Sequence, residues 1–277
     1  MLRLVAASAA VLILAAPAAM AKDAKLLAAV ARADRPAADK ARDSARKPVE
    51  TLTFWGLKPK QTVIELSPGG GYWTEILAPY AKETGGTYVA TGADLANPTL
   101  SEAAKTGRAN FEKKYADPAK YGAVKVAGFG PASGPLGAPG SADMVITARN
   151  LHNWAPNAPF LEKVLKDAHA VLKPGGVLAV EEHRSDPMPP APKWSTGYMS
   201  QAEVIAIVEK AGFKLAGKSE VNANPKDTKD HPFGVWTLPP TRWTKPFGQG
   251  SDPTFDRTKF DAIGESDRMT LRFVKAG

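Results

Sequence analysis

Glu65 closes a short β-branched run, "TVIEL", and the chain then meets Gly69, Gly70 and Gly71 in succession. Glycines permit positive φ and close approach of a ligand to the backbone, because no Cβ intervenes. The first N–H groups of a helix that follows such a turn have no intrahelical partner and are free to bond a ligand. An acid at this point repels phosphate and suits a ligand bearing an amino group. A dinucleotide turn needs G-x-G-x-x-G, and the last glycine of that pattern, counted from Gly69, is replaced here by Thr74. The bland alternative is a glycine turn that only joins strand to helix.

Two histidines stand where chemistry is also possible. His152 and Asn153 follow a fourth apolar run and His183 ends a fifth. An imidazole titrates near neutrality, so it can deprotonate a hydroxyl or hold an acceptor by a hydrogen bond. The alternative for each is a ring that packs and bonds locally. Trp154 can cover a cation with its π-face or sit in the core. Along the fifth run, alternation sends Glu182 and Arg184 to the face opposite Glu181 and His183, which gives Arg184 a structural role. His169 is expected at the surface. The four histidines lack an H-x-x-x-H spacing and the chain has no cysteine, so no metal site, disulfide or thiolate chemistry is expected. Ser67 lies in no G-x-S-x-G context and is not a candidate nucleophile.

The elements that must position these residues alternate. Strands are expected at Thr62–Leu66, Thr87–Thr91, Val124–Phe129, Asp143–Asn150, Val177–Arg184, "FKLAGKSEV" and Asp267–Lys275. A helix is expected over Tyr72–Lys82, kinked or ended by Pro79. Another starts near Pro156 and Pro159 and carries Leu161, Val164, Leu165, Ala168 and Leu172 at helical spacing. Ser200 is a plausible N-cap for a third, Gln201–Ala211, closed by Gly212. Such alternation predicts an α/β protein whose central sheet is mostly parallel, with a final strand free to run antiparallel. Ligands of such sheets sit at the carboxyl ends of the strands. Residues 22–57 read as a helical extension, 58–277 as the main domain, and 222–264 as a lid or surface extension.

The first 21 residues read as a Sec-type signal peptide: Arg3, an apolar stretch from Leu4 to Ala16, then Ala19-Met20-Ala21. The expected location is periplasmic or secreted, with no stable membrane span once the leader is removed; Met20 as the true start would instead make the protein cytoplasmic. Loss of Arg3 lowers the formal charge from +8 to +7, 35 basic against 28 acidic residues. That charge favours anionic partners, but no Arg/Lys tract lies among aromatics and nucleic-acid binding is not expected.

The quoted segments resemble the class I S-adenosylmethionine (SAM)-dependent methyltransferases. Glu65-Leu66-Ser67-Pro68-Gly69-Gly70-Gly71 is similar to their first motif, "ADMVITARNLHNW" (Ala142 to Trp154) to their fourth-strand motif, and "VLKPGGVLAVEEHR" (Val171 to Arg184) to their fifth. The nearer resemblance is to a bacterial branch of predicted exported methyltransferases with "PGGGYWTEILAPY"-like and "ESDRMTLRFVK"-like segments. The resemblance implies a Rossmann-like methyltransferase fold with a seven-stranded sheet, an antiparallel last strand and helices on both faces. It implies SAM as cofactor, contacted by Glu65, Ser67, Pro68, Gly69, Gly70, Gly71, Asp94, Phe129 and Asn150, with His152 and His183 as catalytic candidates. The implied acceptor is a small molecule or an envelope component. The chain departs from the family in three places: Ser67 replaces a glycine, the ribose-binding acid is displaced to Asp94, and Phe129 stands where an Asp often meets adenine. A binding module on the same fold, without methyl transfer, is the alternative these departures keep open.

Overall fold

The computed structural model describes residues 23–186 and 194–276; the leader-like residues 1–21 lie outside the described residues. Eight strands form: β1 (Thr62–Leu66), β2 (Thr87–Ala93), β3 (Lys125–Phe129), β4 (Ala142–Ala148), β5 (Leu172–His183), β6 (Phe213–Ser219), a short β7 (Pro232–Val235) and β8 (Arg268–Lys275). Seven of them make one sheet in the order β3-β2-β1-β4-β5-β8-β6. All pairs are parallel except those of β8, which runs antiparallel to both β5 and β6. The order reverses between β1 and β4, and a crevice opens at the carboxyl ends of strands where such a reversal occurs.

Period-two alternation divides the core between the two faces. Ile64, Leu66, Val145, Leu178, Val180, Leu271 and Phe273 face the helices Ala158–Val171 and Gln201–Lys210. Val63, Tyr88, Ala90, Met144, Ile146, Val177 and Ala179 face Ala24–Ala31, Pro48–Trp55 and Thr74–Thr84. The fold is therefore the expected Rossmann-like sandwich. No helix of the described residues is long and apolar enough to cross a membrane.

Pro79 neither ends nor stops the second-layer helix, which continues to Thr84. A proline at this place deprives the carbonyl of Glu75 of its helical donor. The guanidinium of Arg32 supplies a donor instead, Nη1 to Glu75 O at 3.2 Å. The helical extension thereby repairs a defect in the domain it covers. Glu102–Lys114, capped by Ser101, is a helix that the sequence reading left unassigned; none of its residues is fully buried, so it carries little apolar periodicity.

Of the three glycines, Gly71 has a steric reason. Its φ is +88°, and a Cβ there would lie 1.8 Å from the buried Tyr115 hydroxyl. Gly70 has neither a positive φ nor an atom within 4 Å of such a Cβ. Gly71→Ala is expected to cost about 2–4 kcal/mol in urea unfolding, whereas Gly70→Ala should stay within about 0.5 kcal/mol of the parent. Equal losses at the two positions would refute the packing account of Gly71.

Candidate active site

The carboxyl ends of β1, β4 and β5 frame a cavity of about 330 Å³. Glu65, Ser67, Pro68, Gly69, Gly70, Arg149, Asn150, His152 and His183 line it. The extension adds Asp39, Arg42 and Arg46, and the long segment after β7 adds Trp236, Pro239, Pro240 and Thr241. A second cavity of about 300 Å³ shares Ser67, Pro68 and Gly69 and continues past the ends of β2 and β3, along Thr91, Gly92, Arg108 and Phe129. The glycine turn is thus a partition with a space on each side.

Backbone geometry at this partition is unusual. Ser67 and Arg149, at the ends of adjacent strands, both have positive φ, 47° and 61°. A side chain in that region costs on the order of 1 kcal/mol, and such residues cluster at functional sites. The Ser67 N–H donates to Thr91 Oγ1 at 2.8 Å. Asn150 Nδ2 donates to the carbonyls of Leu66 (3.2 Å) and Ala148 (3.2 Å), tying β1 to β4. Gly69, at φ +57°, has nothing within 4 Å of a Cβ position and leaves its backbone open to a ligand.

Glu65 is buried at the centre. Tyr88 Oη donates to its Oε2 at 2.5 Å and Thr74 Oγ1 to the same oxygen at 3.1 Å. Among the described residues Oε1 accepts nothing. Burial raises the Glu65 carboxyl to about 7, opposed by the two hydroxyl donors and by the charge of Arg149. A half-ionised buried acid with one oxygen unpartnered beside a cavity is suited to an ammonium group, which would supply both the missing donor and the counter-charge.

The two histidines line the same cavity as Glu65. His152 Nδ1 lies 2.8 Å from Glu182 Oε1, and the Glu182 carboxylate also accepts from the backbone N–H of His183 (2.8 Å) and of His152 (3.3 Å). A carboxylate can only accept, so Nδ1 carries the proton and Nε2 is the nitrogen left for a ligand. His183 Nδ1 lies 2.5 Å from Ser266 Oγ. Burial, reinforced by His152, Arg149 and Arg268, holds His183 well below the usual imidazole range, so it is neutral. The two rings are 5.2 Å apart, and Trp236 stands edge-on to His152 at 5.9 Å. His152, Glu182 and His183 each bring a ligand atom within 4.8 Å of the others. Three N–H donors converge on Glu182.

The remaining sequence candidates divide. Phe129 lines the second cavity and packs on Trp154 and Phe160. Gly71 lines neither cavity and meets Tyr115 instead. Asp94 does not line the second cavity either: its Oδ1 accepts from Ala96 N and sits against Gly128. Trp154 belongs to the core. Arg184 is structural, paired with Asp267 and Glu220. His169, expected at the surface, is half-buried edge-on to Phe213. Sequence reasoning missed Glu182 as the partner of His152, Trp236 as an aromatic wall, and Arg46 and Arg149 as cavity cations. It also missed Arg108, which donates to the carbonyls of Ala93 (2.9 Å) and Val126 (3.0 Å) at the strand ends. Only the acid beside His183 gave a local signal; the rest depend on contacts far apart in the chain.

A family model described as a methyltransferase domain matches residues 37–216. No curated protein matches the chain by sequence. Among solved structures, the complex between the Haloferax volcanii Trm112 methyltransferase activator and a putative methyltransferase is similar in fold. That match is 16% identical, covers 86% of this chain and 93% of the other, and has a TM-score of 0.51. The [4+2]-cyclase SpnF is similar at 14% identity, covering 86% and 80%, with a TM-score of 0.50. A SAM-dependent methyltransferase from Aquifex aeolicus is 21% identical over 67% of this chain and 89% of its own, with a TM-score of 0.49.

Proposed function

The chain belongs to the methyltransferase domain family, and from that premise we propose that it moves the methyl group of SAM to an acceptor oxygen or nitrogen that must lose a proton. The observation that carries this reading is the pairing of two sites in one cavity: the unpartnered oxygen of Glu65 and the Glu182-oriented ring of His152. Bound there, SAM would supply an activated methyl group on a sulfonium. Glu65 would hold its ammonium, Ser67 to Gly70 would lie along it, and the cavity of Thr91 and Phe129 would take its nucleoside. Phe129 offers a face for stacking, and Asp94 lies just past the lining residues Gly92 and Ala93.

His152 Nε2 would take the acceptor's proton as the new bond forms, and Glu182 would hold the ring in the tautomer that leaves Nε2 free. Neutral His183 would hold the acceptor by a hydrogen bond. Trp236 and the segment around it exclude water from the reacting atoms, which favours displacement at the expense of hydrolysis. Alignment of this kind supplies much of the acceleration in a transfer that needs no covalent intermediate.

The leader-like residues 1–21 and the basic charge support an exported protein with an envelope acceptor as part of the same proposal. A second reading, ligand binding without methyl transfer, is favoured by the position of Asp94 and by the occurrence of this fold in a cyclase. Incubation of the protein with methyl-labelled SAM and an envelope extract separates the two. Label in an extract component, with S-adenosylhomocysteine formed in equal amount, is the expected result; saturable SAM binding without any transfer to extracts or small phenols and amines would favour the second reading.

A further inference from the structure

Two guanidinium groups in the cavity lack the acceptors that buried cations normally have. Arg46 is fully buried and gives only Nε to Glu265, at 3.0 Å; Nη1 and Nη2 have no hydrogen-bond partner among the described residues. Arg149 makes no side-chain hydrogen bond or ion pair among the described residues, and its Nε is buried without a partner. Both residues line the cavity that holds Glu65 and His152. Glu181, the first acid whose charge acts on Arg149, is paired with Arg268 at 2.9 Å, and Glu265 is shared by Arg42, Arg46 and Arg268. Arg46 is paired through Nε and stacks on the Tyr72 ring at 4.4 Å, but a buried guanidinium with unfilled donors is costly, and the ordinary remedy is an anion. Arg149 also keeps a positive φ at the end of β4, a conformation that a long side chain seldom adopts without a reason.

We infer that Arg46 and Arg149 form a receptor for a carboxylate group within the active-site cavity. A planar carboxylate can take two N–H donors from one fork or one from each of two, which a hydroxyl or an amine cannot match. The cavity then reads three features of its contents: an ammonium at Glu65, a transferable proton at His152, and a carboxylate between the two arginines. This assignment rests on the methyltransferase reading only for its two sources, the acid group of the acceptor or the carboxylate of SAM itself.

The test uses the full chain, with Arg149→Asn and Arg149→Lys as variants. Asparagine tolerates the left-handed backbone and removes the charge that faces Glu181 and Glu65, whereas lysine keeps that charge, and a thermal melt of each variant establishes that it is folded. Benzoate is titrated calorimetrically against the protein with and without S-adenosylhomocysteine, and SAM is compared with its decarboxylated analogue. At least tenfold weaker benzoate binding in Arg149→Asn, partly restored in Arg149→Lys, supports the receptor and assigns it to the acceptor if SAM affinity is unchanged. A tenfold loss for SAM but not for the decarboxylated analogue supports it and assigns it to the cofactor. Folded variants that bind benzoate, SAM and the analogue as the parent does would overturn the receptor. Failure of the parent to bind SAM or S-adenosylhomocysteine at all would overturn the methyltransferase reading, and benzoate binding alone would then decide the receptor.

Discussion

Replacing His152 by alanine is expected to lower kcat by 10²- to 10⁴-fold while leaving SAM affinity within about twofold of the parent. The ring that would take the proton and the carboxylate that would hold the cofactor are different groups of one cavity, so the two functions are separable. Glu182→Gln tests the positioning role independently. Oε1 accepts from both His152 Nδ1 and the His183 N–H, so an amide turned to place its oxygen at the His152 N–H presents its NH₂ to Nδ1 and gives up the His183 bond. That would favour the tautomer with the proton on Nε2, the wrong nitrogen for a base. A drop of 10- to 100-fold in kcat, with unchanged SAM affinity, is the expected outcome. Steady-state kinetics with any acceptor found by label transfer, alongside a SAM titration of each variant, reads both effects. If His152→Ala retained full kcat, the oriented dyad would be a packing device and the acceptor would need no base.

Glu65→Gln is expected to act in opposite directions on stability and on binding. Burial raises the Glu65 carboxyl to about 7 in the folded chain, against about 4.3 when unfolded. The native state therefore holds the proton more tightly, and stability falls as pH rises through this window. The penalty is about 1 kcal/mol at pH 5 and approaches its full value, about 4 kcal/mol, above pH 7. Glutamine carries no such penalty and can still accept the bonds from Tyr88 and Thr74. The variant should melt higher than the parent at pH 8 and close to it at pH 5. Its SAM affinity should nevertheless fall by at least tenfold, because an amide cannot counter an ammonium charge. In the parent, binding of SAM should weaken roughly five- to tenfold between pH 7.5 and pH 6 as the binding-competent carboxylate becomes a minor form. That pH dependence should vanish in the variant. A variant less stable than the parent at pH 8 would show that Glu65 is held ionised for structural reasons.

The sheet was legible because its strands carry the alternation that a two-faced core imposes: Val63 and Ile64 face opposite layers, as do Val177 and Leu178. β2 and β5 run a few residues past their expected bounds, while β4 stops at Ala148, where Arg149 takes a positive φ. The helix Glu102–Lys114 escaped notice because it buries no residue completely. The helix does not end at Pro79, and the donor that rescues the Glu75 carbonyl lies 43 residues away. In the site, Glu65, the glycine turn and the two histidines were readable from local spacing. Gly71 was not separable from its neighbours by sequence, since its reason is Tyr115 in a later helix-end packing. Glu182, Arg46 and Trp236 become site residues only through the closing of distant strands and loops around one cavity. Local pattern thus picked out residues that gather at one cavity, and long-range packing decided which other residues line it.

The cavity that Glu65 shares with the glycine turn is the centre of this account, and calorimetric titration of the full-length protein with SAM and S-adenosylhomocysteine at pH 7.5 tests it most directly. Saturable binding of both ligands at a single site, reduced at least tenfold in Glu65→Gln, is the predicted result. No heat of binding at millimolar ligand from a protein with an intact thermal transition would contradict it, and the glycine turn would then serve another ligand or the fold alone.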